Sequence, residues 1–206
     1  MVEIEWFGHA CFAVKMAGKT IVIDPHDGTS LGLPEPNVKA DIVLITHHHF
    51  DHENGLRLVK KSGAVVIDST GKREINGIKI EGVETYHDEM KGKERGKVNA
   101  FVIEGEGIKI AHLGDIGVVD VNLPAVDVLM VPVGGKYTID AKQAKTLVER
   151  VNPRVIIPMH FKIKGLNLPI AGPDEFVSKF ANVKSVGKKV EFSSLPKTQE
   201  VWLFSL

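Results

Sequence analysis

The sequence predicts an α/β protein in which short strands outnumber helices. Apolar, β-branched runs such as Asp41–Ile45 and Val126–Val133 recur along the chain and read as buried strands. Turn signals join others as hairpins, Ile75-Asn76-Gly77-Ile78 with a type I′ pattern and Gly105-Glu106-Gly107. Between the strands, Ala141, Ala144, Leu147, Val148 and Val151 recur at the spacing of one helix face.

In order, the first forty residues read as a meander. Strands at Glu3–Phe7, Ala10–Met16 and Thr20–Asp24 flank a tight turn, Ala17-Gly18-Lys19. A Gly-, Pro- and Asp-rich loop then runs from Asp24 to about Lys39, and loops of that length are often functional or mobile. After Asp41–Ile45 the pattern predicts a helix over Asn54–Ser62 and strands at Ala64–Asp68 and Lys79–Tyr86. Strands Val98–Glu104 and Gly107–Leu113 form the second hairpin. Val126–Val133 leads through Gly134-Gly135 into the helix from Asp140 to Val151, which Asn152-Pro153 ends. The Gly-Gly loop is either a plain strand-to-helix turn or an anion seat. Strand Arg154–Pro158, a helix at Pro173–Phe180 and strands at Lys189–Phe192 and Glu200–Phe204 complete the chain.

Composition bounds the class. The 206 residues are 43% hydrophobic, enough for a sizeable core in one domain spanning 1–206. Basic and acidic residues balance at 26 each, which gives no bulk attraction to nucleic acid or anionic membrane. The single cysteine, Cys11, forms no intramolecular disulfide and fits a reducing, cytoplasmic setting. The N-terminus lacks a signal-peptide pattern and no apolar run is long enough to span a bilayer.

Chemistry concentrates in Thr46-His47-His48-His49-Phe50-Asp51-His52, directly after a buried strand. In an extended segment alternate side chains share a side, so His47, His49 and Asp51 converge while His48 points away. His52 joins them where the chain turns into a helix. Neutral imidazole and carboxylate are ligands for zinc, manganese and iron.

His47-x-His49-x-Asp51-His52 resembles the H-x-H-x-D-H motif of the metallo-β-lactamase superfamily. Gly8-His9-Ala10 and Asp24-Pro25 resemble the opening motifs of its ascorbate-phosphate-lactonase-like branch. Tyr86-His87-Asp88, Arg95-Gly96, His112-Leu113-Gly114-Asp115, Pro132-Val133-Gly134-Gly135 and Ile157-Pro158-Met159-His160 follow in that branch's order. The resemblance implies a four-layer αββα sandwich with two divalent cations in a cleft at one edge of its sheets. It implies that His47, His49 and His87 hold one cation, that Asp51, His52 and His160 hold the other, and that Asp115 bridges them. A hydroxide held between cations ~3.5–4 Å apart then attacks a small ester, lactone or amide, and the cations stabilise the oxyanion. In this scheme Asp51 also orients the nucleophile, and His9 donates a proton to the leaving group. His9 either faces the metals or merely ends a strand. Asp24 is either a turn residue before Pro25 or a carboxylate that braces the histidine loop, and His112 falls outside the ligand pattern.

Zinc is the first choice of metal and manganese the alternative. Diiron flavoprotein relatives carry Glu where His49 stands. Export-dependent β-lactamases, glyoxalase II enzymes with their helical domain and basic RNA-processing nucleases fit the chain less well. The partner expected is a small-molecule substrate, with no nucleic acid and no membrane. Two further readings stay open: a phosphodiesterase or nuclease on the same site, and a non-catalytic metal-binding protein.

Overall fold

Strands β1 (Val2–Trp6), β2 (Phe12–Met16), β3 (Lys19–Ile23), β4 (Ala40–Leu44) and β5 (Lys60–Ile67) lie side by side in chain order. The computed structural model describes all residues from Met1 to Leu206. β1 to β3 pair antiparallel, and β3, β4 and β5 pair parallel. A second sheet takes β6 (Gly71–Ile75), β7 (Ile78–Tyr86), β8 (Lys97–Gly105), β9 (Ile108–His112), β10 (Val128–Pro132) and β11 (Val155–Met159), again in order. Its first four strands are antiparallel, and β9, β10 and β11 run parallel. Near the C-terminus, β12 (Val183–Gly187) and β14 (Glu200–Phe204) extend the second sheet, while β13 (Lys189–Phe192) crosses to pair with β1.

The two sheets stack through their apolar faces. Ile4, Phe12, Val14, Ile21, Ile42 and Leu44 from the first join Phe101, Ile103, Ile110, Met130, Ile157 and Phe204 from the second in one core. Phe12 and Phe204 meet edge to face with centroids 5.9 Å apart. The alternate residues of the first sheet, Ala13, Val22, Val43 and Ile45, face outward and are covered by Val59, Leu56 and Leu58. Helix α3 (Ala141–Val151) covers the other sheet with Ala141, Ala144, Leu147 and Val148. The result is the four-layer αββα sandwich, with thin helical layers. No helix is long and apolar enough to cross a membrane.

Local chemistry explains most element ends. Ala17-Gly18, Asn76-Gly77 and Glu106-Gly107 all have positive φ at both positions, the type I′ geometry that matches strand twist. Asp140 caps α3 by accepting from Lys142 N and Gln143 N, while the Gln143 side chain accepts from Asp140 N. Asn152 in the left-handed region ends the helix before Pro153.

Three segments depart from the expected pattern. The helix expected at Asn54–Ser62 is two single turns, α1 (Phe50–Glu53) and α2 (Leu56–Val59). Gly55 separates them because its N–H is spent on Pro25 O (2.9 Å), and β5 begins already at Lys60, which pairs with Ala40. The helix at Pro173–Phe180 shrinks to α4 (Asp174–Val177), since Lys179 and Phe180 bond three residues back, in 3₁₀ fashion. β12 was not expected as a strand, and β6 was implied only by the Asn76-Gly77 hairpin turn, without bounds; both are largely exposed, so no hydrophobic alternation marks them. The long loop after Asp24 is anchored, with Leu31 and Leu33 packed on Leu166 and Ile170.

Candidate metal centre

The polar side chains collect where strands end. β3 delivers Asp24, β4 delivers His47, β7 delivers His87, β9 delivers Asp115 and β11 delivers His160. The β1–β2 connection adds His9. Because α1 starts at Phe50, immediately after an extended His49, Asp51 and His52 sit on a helical turn rather than on the extended segment. His9, Asp24, His47, Asp51, His52, His87, Asp115 and His160 are all buried, and His49 is partly exposed. Three of them, His9 (φ 54), Asp24 (φ 48) and His160 (φ 51), hold left-handed backbone, a conformation non-glycine residues keep only under strong surrounding constraint. Gly114 (φ 55) makes the turn into Asp115, where a Cβ would lie 2.6 Å from Thr46 Oγ1.

Two groups of donor atoms form, each mutually within 4.8 Å: His47, His49 and His87, and His9, Asp51, His52 and His160. Asp115 stands between them. Its Oδ2 lies 3.1 Å from His160 Nε2, 3.6 Å from His87 Nε2 and 4.0 Å from His47 Nε2, and its Oδ1 lies 3.2 Å from His52 Nε2. That last approach lacks hydrogen-bond alignment. His47 Nε2, His52 Nε2 and Asp115 Oδ1 are therefore buried without a partner. Buried polar atoms rarely stay orphaned, because lost hydration must be repaid. A divalent cation in each group would be shared by exactly such lone pairs, so the residues present fit a metal centre.

Asp24 sets which ring nitrogens are free. Its Oδ1 accepts from Thr46 N (2.8 Å), and its Oδ2 accepts from Thr46 Oγ1 (2.7 Å) and His52 Nδ1 (2.8 Å). With its proton given to Asp24, Thr46 Oγ1 accepts from His47 Nδ1 (2.9 Å). One carboxylate thus anchors Nδ1 of both rings, of His52 directly and of His47 through Thr46, and leaves Nε2 of each turned towards Asp115. Asp24 also clusters with His47 and His52. These hydrogen bonds account for that proximity, so no third cation is needed.

Electrostatics follow the same layout. Burial works against charge on His52, but Asp115 and Asp24 outweigh it and hold the ring well above the usual imidazole range. Burial and the neighbouring His52 push His47 down to about 3. Burial opposes ionisation of Asp115, yet His160 and His52 outweigh it and keep the carboxyl well below its ordinary range. Asp51 is likewise held low against burial by the hydrogen bond from His9.

Of the two placements open to His9, the structure takes the one facing the centre, within the donor group of Asp51, His52 and His160. Its Nε2 donates to Asp51 Oδ2 at 3.0 Å, its ring lies 4.2 Å from that of His160, and it is fully buried. Burial and His160 push it down to about 4. It is not among the residues that line the cavity, whereas Asp51 is. His112 also stays outside both donor groups: Nε2 donates to Ala10 O (2.9 Å), and Nδ1 accepts from Gly114 N (3.1 Å). His48 points away, with Nδ1 2.7 Å from Glu53.

The centre opens into a cavity of about 460 Å³, where His49, Asp51, His87, Asp115 and His160 meet Phe50, Arg95, Tyr137 and Leu168. Phe50, Tyr137 and Leu168 carried no sequence signal, and Thr46 was legible only as the residue preceding His47. A groove of about 490 Å³ over β6 to β8 holds no imidazole, and Lys72, Lys79 and Lys109 there pair with Glu81 and Glu104.

Fold and site define a class. Residues 3–160 match the model of the beta-lactamase superfamily domain, and the chain belongs to the metallo-β-lactamase superfamily. A Thermococcus onnurineus protein named UPF0173 metal-dependent hydrolase is 32% identical, over 93% of this chain and 95% of its own length. A Pyrococcus abyssi protein of the same name is 30% identical, over 98% of this chain and 100% of its own. A Thermotoga maritima crystal structure, whose name proposes a Zn-dependent hydrolase of this superfamily, superposes with TM-score 0.84 at 43% identity, covering 99% of this chain and 98% of that one. A metallo hydrolase from Ignicoccus hospitalis superposes with TM-score 0.65 at 26% identity, covering 86% of this chain and 89% of that one.

Proposed function

We propose that this protein is a metal-dependent hydrolase that adds water across the acyl bond of a small ester, lactone or amide. In this reading His47, His49 and His87 would hold one divalent cation and Asp51, His52 and His160 the second, with Asp115 placed between the two groups to serve either. Zinc suits the donor set best, with manganese the alternative. When bound, the cations would supply Lewis acidity for activating water and polarising the bond under attack. The chain does the rest. Asp24, directly and through Thr46, keeps the Nε2 lone pairs of His52 and His47 aimed inward. His9 holds one oxygen of Asp51, which fixes that carboxylate for ligation and for orienting the water. The cavity walls limit access to one face of the centre.

The observation that supports this most directly is the meeting of orphaned donors at Asp115, since no protein group satisfies them. Elemental analysis of freshly purified, untagged protein should find close to two ions per chain. A panel of esters, lactones and amides should then be turned over in a metal-dependent way, ahead of generic phosphodiesters. Protein that stays metal-free after incubation with zinc and manganese would end the reading.

A further inference from the structure

Arg95 is the only Arg or Lys that lines the cavity of the metal centre. Its guanidinium pairs with no carboxylate. Nη1 donates instead to Lys136 O at 3.2 Å and Tyr137 O at 3.5 Å, and the group lies 5.4 Å from the centre of the Tyr137 ring. A guanidinium has five N–H donors and stays charged at any working pH, so most of its capacity is unspent.

Its placement is also built. The carboxylate of Asp88, the residue after His87, accepts from the backbone N–H of Met90 (2.9 Å), Gly92 (3.0 Å), Glu94 (3.1 Å) and Arg95 (2.8 Å). The segment from Glu89 to Arg95 is thereby wrapped around one side chain, and Arg95 is fixed relative to His87. A backbone so fastened, carrying a cation with no acidic partner into the cavity, is arranged for an anion from outside.

We propose that Arg95 is a specificity-determining residue, and that it holds an oxyanion, carboxylate or phosphate, carried by the substrate away from the bond that is cut. The substrate class is then an anionic metabolite that spans from the metal centre to Arg95. This rests on the hydrolase reading for the cations that anchor the other end. Arg and an oxyanion pair through two parallel hydrogen bonds, which select for planar geometry as well as charge.

The test is calorimetric titration of zinc-loaded protein with unbranched dicarboxylates from succinate to pimelate, each against the monocarboxylate of equal length. At one length the dicarboxylate should bind about tenfold more tightly, a difference of ~1.4 kcal/mol. Arg95→Ala should erase that advantage while monocarboxylate affinity and metal content stay unchanged, and Arg95→Lys should keep part of it. The matching ω-phosphono acids tell phosphate from carboxylate, by whichever shows the larger Arg95-dependent gain. If no length favours the dicarboxylate or the ω-phosphono acid over the monocarboxylate, or if Arg95→Ala retains the preference, the assignment is overturned. Because the readout is equilibrium binding at measured metal content, failure to turn over any ester would count against the hydrolase reading alone.

Discussion

His48 and His49 are neighbours with opposite surroundings. His49 sits with His47 and His87, whereas the ring of His48 is 63% exposed and meets Glu53 and Asp68. Replacing His49 removes one of three imidazoles from a group, so metal affinity should fall by orders of magnitude. His48→Ala removes a surface pair, with a loss of about 10–100-fold at worst. Metal titration of both variants in one buffer decides this, and equal losses would show that the ligand loop adopts another conformation when loaded. A second comparison isolates Asp115 from its neighbour His112. Asp115 meets four imidazoles, while His112 only ties Ala10 to Gly114. Asp115→Ala should therefore abolish ion binding and activity, and His112→Ala should chiefly lower melting temperature. The reverse ranking, at equal folding, would mean the bridging position is misassigned.

At the scale of elements, the site depends on how closely loops can stack beneath the histidines. Gly117 N donates to Tyr86 O (2.8 Å), and a Cβ on Gly117 would lie 2.3 Å from His87 O. Nothing flexible stands there to give way, so Gly117→Ala must shift the end of β7 and with it His87. Overpacking of this kind costs roughly 1–3 kcal/mol. The expected result is a lower melting temperature together with reduced ion content, whereas Gly172→Ala, whose nearest neighbour is a side-chain oxygen 3.5 Å away, should be close to neutral. Retention of full ion content in Gly117→Ala would show that this contact does not position the histidine. Constraints like this one cannot be read from sequence, since Gly117 lies in a stretch without any motif. The ligand-type residues could be read because strand ends and spacing mark them; Arg95 was visible only within the family pattern, and its place in the cavity comes from the loop around Asp88.

Across the whole molecule, the sandwich was legible where strands are buried on both faces, as β4, β10 and β11 are. It was illegible at the exposed edge β12, legible at β6 only through its hairpin turn, and misread at the helices after β4, where docking of Gly55 on Pro25 overrides helix propensity. The same architecture makes the cations a link between the two halves. His47, His49, Asp51 and His52 follow β4 of the first sheet, whereas His87, Asp115 and His160 follow strands of the second. Each donor group draws on both sheets. A cation held this way binds the folded chain and not the unfolded one, so it adds stability by mass action, about 2.7 kcal/mol at a hundredfold excess over Kd. For a chain of this size, each kcal/mol moves the melting temperature by roughly 2–4 °C. Removing both ions with a chelator should therefore lower it by on the order of 10–20 °C, and zinc added back should restore it. His48→Ala should show the full effect and His49→Ala a smaller one. A melting temperature that stays put while elemental analysis confirms complete removal would mean that the orphaned donors are held in place by packing alone, and that the ions do not join the sheets.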